Sequence, residues 1–132
     1  MFVRVAGARL EVDESLIRNK SRDDIAKDVD AYMKRRRLTF EDYDVDMKPF
    51  THFQRRVLVE MRHIPFGMTF SYKRLAELVG RPHAYRAVAN VCATNALPII
   101  IPCHRVVGSH SLGGYSAGLG VKKALLRLEM GH

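Results

Sequence analysis

A proline, a cysteine, a histidine and an arginine stand side by side at Pro102-Cys103-His104-Arg105. Sulfur attacks carbon as the thiolate, and an unperturbed thiol at neutral pH is only about a few per cent ionised. A histidine that takes the proton, with a carboxylate to orient it, is the usual remedy. The same residues would also suit a buried, inert thiol, because free cysteine is among the most buried residue types. The surroundings distinguish the two. An apolar run, Leu97 to Ile101, leads into the cysteine, and a glycine-rich segment, Gly108 to Gly120, follows it. Glycine lets backbone approach a ligand closely, and Tyr115-Ser116 within that segment has the chemistry of a contact surface.

A chain of 132 residues holds one good core, or one domain with a small appendage. No apolar run approaches the length of a membrane span, and the N-terminus lacks a signal-peptide layout, so a cytoplasmic (nucleoid-associated or, in a eukaryote, nuclear) location is expected. Cys92 and Cys103 are too few for a disulfide framework, and there is no CxxC or Cys/His metal spacing. Two reduced thiols are the simpler reading, with a bridge between them left open, and neither metal nor cofactor is expected. The net charge of +8 is unevenly placed. Residues 1–48 carry eleven basic and eleven acidic side chains; residues 49–132 carry eleven basic against only Glu60, Glu77 and Glu129. A basic half suits a polyanionic partner, nucleic acid before an anionic membrane surface, although a merely soluble basic surface would have the same charge.

Several elements must position the cysteine. Phe2 to Ala6 and Arg9 to Val12 read as two strands joined by a tight turn at Gly7. Ser21 caps a helix running to about Arg36, with Ile25, Val29, Tyr32 and Met33 at core spacing; Lys34 to Arg37 suit the negative end of its dipole. Nothing in residues 1–48 looks chemically reactive, and Pro49 marks the boundary between an N-terminal segment, 1–48, and a C-terminal domain, 49–132. Thr51 to Gln54 has the layout of a capping box, opening a helix that buries Phe53, Val57, Leu58 and Met61. Ser71 caps the next helix, whose Leu75, Ala76, Leu78 and Val79 face inward before Gly80 stops it.

After the Gly80-Arg-Pro82 turn, a third helix runs from about His83 to Ala93, which gives a helix-turn-helix spacing. Its inner face holds Ala84, Tyr85, Val88, Val91 and Cys92. Its outer face holds Arg86, Ala89, Asn90, Ala93 and Thr94, small residues around one long cation. Such a face can approach a DNA groove and let the arginine reach between bases, whereas an ordinary solvated face would carry Glu and Lys. Asn95 is a hinge between that helix and the reactive segment. Val121 to Glu129 forms the last helix, where Glu129 would ordinarily be solvated.

Pro102-Cys-His-Arg-Val106, Asn95-Ala-Leu-Pro98, Gly114-Tyr-Ser116, Phe70-Ser-Tyr72, Arg81 to Val88 and the Leu125-Leu-Arg-Leu-Glu129 ending together resemble the O6-alkylguanine-DNA alkyltransferases (methylated-DNA–protein-cysteine methyltransferases), over roughly residues 49–132. The resemblance implies an α+β fold, a small strand–helix segment followed by a mainly helical, winged-helix-like domain. It implies that Cys103 accepts the alkyl group, that His104 is its base acting through a water, and that Glu129 orients His104. Tyr72 is then the tyrosine that protonates the leaving base, Asn95 the hinge in the same network, and Arg86 the side chain that fills the stack when the damaged nucleotide rotates out. Ala89, Asn90, Ala93, Thr94 and Ser71 join Arg86 on a minor-groove DNA surface. Pro98, Tyr115, Ser116 and Ala117 line the substrate pocket, with Cys92 beside it as packing.

The implied partner is double-stranded DNA containing O6-alkylguanine, met by a monomer that acts once and is spent. Two departures from the family stand out: the N-terminal segment is short, and Ala117 replaces a common glycine, which would narrow the pocket against bulky alkyl groups. A lesion-sensing DNA-binding protein without transfer activity is the alternative, disfavoured because such proteins carry another residue in place of Cys103. A cysteine hydrolase would need an oxyanion hole that the sequence does not display.

Overall fold

Val3 and Val5 alternate with exposed residues, and so form a two-stranded hairpin. Strand β1 (Phe2–Val5) pairs antiparallel with β2 (Ala8–Glu11), with Val3 opposite Leu10. The turn residues Ala6 and Gly7 have φ of 50° and 79°, the doubly left-handed geometry that a two-residue hairpin turn requires. The structure, a computed structural model, describes residues 1–131.

Helix α1 (Arg22–Met33) opens on a complete capping box between Ser21 and Asp24. It ends three residues before the expected Arg36, because the chain turns left-handed at Arg35 (φ 59°). Arg37 therefore does not lie at the helix's negative end. It is drawn away to Asp28 and Asp42, and its guanidinium stacks on Phe40 and Tyr43.

Helix α2 (His52–Arg62) has the expected Thr51–Gln54 box and buries Val57, Leu58 and Met61. A two-residue strand β3 (Phe70–Ser71) runs into α3 (Tyr72–Leu78), and after a turn α4 (Tyr85–Ala93) follows. Helices α2, α3 and α4 pack on one another as a helix-turn-helix unit. Leu75, Ala76 and Val79 face inward as expected, but Leu78 is 42% exposed on the outer side of a helix only seven residues long. Tyr85, also expected inside, is 45% exposed at the first position of α4, where the chain has only just left the turn.

The connection from α4 to the cysteine is buried from Leu97 to Val106. Strand β4 (Val106–Val107) pairs in parallel with β3, tying the start of α3 to the end of the reactive turn. Helix α5 (Leu119–Met130) closes the chain against that turn. One apolar core runs through the molecule, joining Val5, Ile25, Val29 and Tyr32 to Met61, Leu97, Ile101 and Leu125. Among the described residues no helix is long and apolar enough to cross a membrane.

Candidate active site

The reactive turn is held from behind. Asn95 donates its side-chain amide to the Ile101 carbonyl (2.8 Å) and accepts the Leu97 N–H (3.0 Å), which closes the loop between α4 and the cysteine. Ile99 within it has φ of 72°, costly for a β-branched residue by about 1–3 kcal/mol. The Ile101 N–H to Leu97 carbonyl bond (2.9 Å) and complete burial of the surrounding isoleucines hold that conformation. Cys103, His104 and Arg105 then form a single 3-10 turn, with exposures of 5%, 0% and 6%.

Helix α5 brings Glu129 to this turn, 5% exposed rather than solvated. Five donors converge on its carboxylate. Oε1 accepts Arg105 Nε (2.8 Å) and the Gly67 N–H (3.0 Å); Oε2 accepts Arg105 Nη2 (3.0 Å), His104 Nε2 (2.5 Å) and the Tyr32 hydroxyl (2.5 Å). Arg105 spends its remaining guanidinium nitrogen on the Ile64 carbonyl (2.7 Å). Hydrogen bonds from His104 and Arg105 overcome the penalty of burial and hold the Glu129 carboxyl down to about 2.

Glu129 is therefore an anion and accepts at Nε2 of His104, so the ring proton sits on Nε2. Nδ1, buried and without a hydrogen-bond partner among the described residues, keeps its lone pair. Burial holds His104 below its ordinary value, with Glu129 pulling the other way, so the resting imidazole is neutral.

Burial likewise pushes the Cys103 thiol up, opposed by the Asn95 amide, the Lys122 ammonium and nearby backbone N–H groups. The resting sulfur is thus a thiol, and ionisation has to be produced by proton transfer. Lys122 is a buried cation, donating to the carbonyls of Val106 (2.7 Å) and Gly114 (3.0 Å). It carries positive charge close to both cysteines while pinning the glycine-rich segment to the end of the turn.

Tyr115 is half-buried near Cys103, and its buried hydroxyl has no hydrogen-bond partner among the described residues. Tyr72, half-buried at the start of α3, lies on Gly113. A Cβ there would collide with the phenol, so the glycine (φ 71°) is what lets the ring sit where it does.

Pro98, Ser116 and Ala117, with Asn95 and Thr94, line one wall of a cleft of about 530 Å³, and residues of the β2 hairpin line the other. Cys103 does not itself line this cleft, whereas Asn95, which holds the reactive turn, does. Cys92, expected beside the pocket, lies in the core with its sulfur 3.6 Å from Met61 Sδ, and burial pushes its thiol up to about 12. Both cysteines are free thiols. Arg86, Asn90, Ala93 and Thr94 are exposed on α4, with Ala89 half-buried between them. Ser71 spends its hydroxyl capping α3, accepting the Arg74 N–H (3.0 Å).

Three neighbours of the site lie outside the residues singled out from sequence. Arg105 stands inside the motif without a role of its own there. Lys122 is a cation at core spacing, three residues before Leu125 and four before Leu126. Tyr32 comes from residues 1–48, where nothing looks chemically reactive, and hydrogen-bonds Glu129. A tyrosine on the apolar face of a helix carries a hydroxyl that must find a partner, and that was the one available signal.

The fold and site together define a class: a helix-turn-helix unit with a small-residue outer face, set beside a buried Cys–His–Glu arrangement. The family comparison gives the class a name: residues 52–131 match the 6-O-methylguanine DNA methyltransferase, DNA binding domain. A methylated-DNA–protein-cysteine methyltransferase of Methanosarcina barkeri is 40% identical over 92% of this chain and 77% of its own length. A probable enzyme of the same name from Acanthamoeba polyphaga mimivirus is 46% identical over 74% of this chain. The crystal structure of Mycobacterium tuberculosis OGT in complex with DNA superposes with a TM-score of 0.76 at 38% identity, covering 81% of this chain. The chain belongs to the methylated-DNA–protein-cysteine methyltransferase family. It spans 65% of the mimivirus relative and 66% of the M. tuberculosis chain.

Proposed function

We propose that this protein repairs DNA by transferring the alkyl group of O6-alkylguanine to Cys103, once per molecule. The observation that carries the reading is the buried Cys103–His104–Glu129 set, with Nδ1 of a neutral His104 left free to accept a proton. The Cys103 proton passes to Nδ1 across a bridging water. The thiolate attacks the alkyl carbon in line; the new S–C bond forms as the C–O6 bond breaks, and its electron pair stays on the guanine. Tyr72 gives the leaving base a proton and regains one from solvent, while the imidazolium releases its own. The net result moves one proton from sulfur to guanine. The thioether is stable, so the protein is consumed.

The alkyl group is inaccessible within a duplex, so the nucleotide must rotate out, at about a few kcal/mol of unstacking. The face of Arg86, Ala89, Asn90, Ala93 and Thr94 supports entry into the minor groove, Arg86 replacing the extruded base. Ser71, at the N-terminus of α3, belongs to the same DNA surface. The cleft lined by Pro98, Ser116 and Ala117 receives the purine. Because Cys103 is only 5% exposed, the wall formed by Ser116 and Ala117 shifts as the base enters. The protein works as a monomer on this account.

Intact-mass analysis after incubation with O6-methylguanine DNA tests the reading. One added methyl group, located on the Cys103 peptide, is expected; Cys103→Ser should bind the DNA and gain none. An unmodified Cys103 after exhaustive incubation would refute it.

A further inference from the structure

Residues 1–48 place one ionisable group inside the relay. Tyr32 faces inward from α1 with no exposed surface, its ring packed against Phe40, Phe66 and the His104 imidazole at centroid separations of 6.2, 6.1 and 6.2 Å. Its hydroxyl has one proton and two polar neighbours, Glu129 Oε2 at 2.5 Å and His104 Nε2 at 3.2 Å. The carboxylate can only accept, so the proton points to Glu129 and the phenol oxygen turns a lone pair towards Nε2. Burial, the Glu129 charge and this hydrogen bond all keep Tyr32 protonated.

We propose that Tyr32 is a positioning residue: by donating to Glu129 Oε2 it takes up part of the carboxylate's charge and so sets how strongly Glu129 draws on the Nε2–H of His104. The docked N-terminal helix thereby tunes the base that serves Cys103. The other groups facing the pair come from every neighbouring element. Arg105 of the reactive turn and the Gly67 N–H share the carboxylate, the charges of Arg105 and of Lys122 on α5 act on the imidazole, and Tyr115 lies near Tyr32. The hydroxyl is set apart from these groups by lying within hydrogen-bond distance of both Oε2 and Nε2.

The consequence for rate rests on the alkyl-transfer reading; the effect on His104 does not. Tyr32→Phe keeps the ring and its packing and deletes only the hydroxyl. Glu129, with one donor fewer, draws harder on the imidazole, so His104 becomes protonated at higher pH. Two measurements apply. In the first, the His104 ring resonances of the free protein are followed by NMR against pH. Their midpoint is expected to rise by about 0.5 unit or more in Tyr32→Phe.

In the second, single-turnover alkyl transfer is followed against pH, each profile normalised to its own plateau. The acid limb is expected to move up by the same amount. A purely structural role would lower the plateau and leave the midpoint in place. Superimposable His104 titrations in the two proteins would overturn the inference whatever the DNA assay shows. A wild-type protein that takes no methyl group would overturn the repair reading and leave the NMR result to decide on Tyr32.

Discussion

Glu129 gathers a histidine, an arginine, a tyrosine and a backbone amide in a site shut off from water, and each of those partners depends on it. Replacing it with glutamine leaves the Arg105 guanidinium buried without its counter-ion, a change that typically costs about 3–5 kcal/mol. Urea denaturation of Glu129→Gln should show a loss of that order. In the fraction that remains folded, alkyl transfer should slow by about 100-fold or more, since a general base that cannot be stabilised as a cation is a poor one.

The Glu129 carboxyl lies far below its ordinary value when folded, so its contribution to stability is complete above the unfolded-state value. That contribution is lost as pH falls towards about 2. His104 is also depressed, so it stays neutral somewhat below its usual range. The transfer rate should therefore hold level through pH about 6.5 and fall only in more acid solution. A fall centred above that value would show that His104 is not the neutral base described.

At the scale of elements, α4 and the glycine-rich segment divide the work. Arg86 and Ala93 are seven residues apart, which at helical rise puts the cation about 10 Å from the end that borders the cleft. Arg86→Ala should slow repair of duplex DNA more than transfer from free O6-methylguanine, because only the duplex needs a side chain to occupy the vacated stack; equal slowing of both would remove that role. Gly113 lets the Tyr72 phenol approach the backbone, so Gly113→Ala should reduce the single-turnover rate while DNA affinity is kept. Ala117 borders the cleft, and Ala117→Gly should speed reaction of benzylated guanine more than of methylated guanine. Rates that rise equally, or not at all, would show that this side chain does not restrict the alkyl group.

The starts of α1 and α2 were legible because their causes are local, whereas α4 and α5, which have no side-chain cap, begin two residues away from the expected His83 and Val121. The Ser21 and Thr51 capping boxes lie within four residues of sequence, and both form as read. The end of α1 was not legible. Asp42, which helps to draw Arg37 away, is brought near only by the folded chain, and Arg35 carries no glycine-like signal for its left-handed turn. Cys103, His104, Asn95 and Glu129 were readable as a set only through the ordered motifs that surround them. Tyr32 is separated from Glu129 by 97 residues, and no spacing rule reaches across that distance.

For the molecule as a whole, the basic excess in residues 49–132 predicts a log–log salt dependence of DNA affinity of about −0.9 per phosphate neutralised. A flat response would contradict groove binding. The N-terminal segment, although short, shares the core and brings the Tyr32 hydroxyl to His104 and Glu129. The central claim, that one sulfur accepts one alkyl group and is then spent, is tested most directly by titrating a known amount of protein with excess DNA carrying radiolabelled O6-methylguanine. Protein-bound label should plateau at one methyl per molecule and stay there. Label that never becomes protein-bound, or product that keeps accumulating past one equivalent, would contradict it.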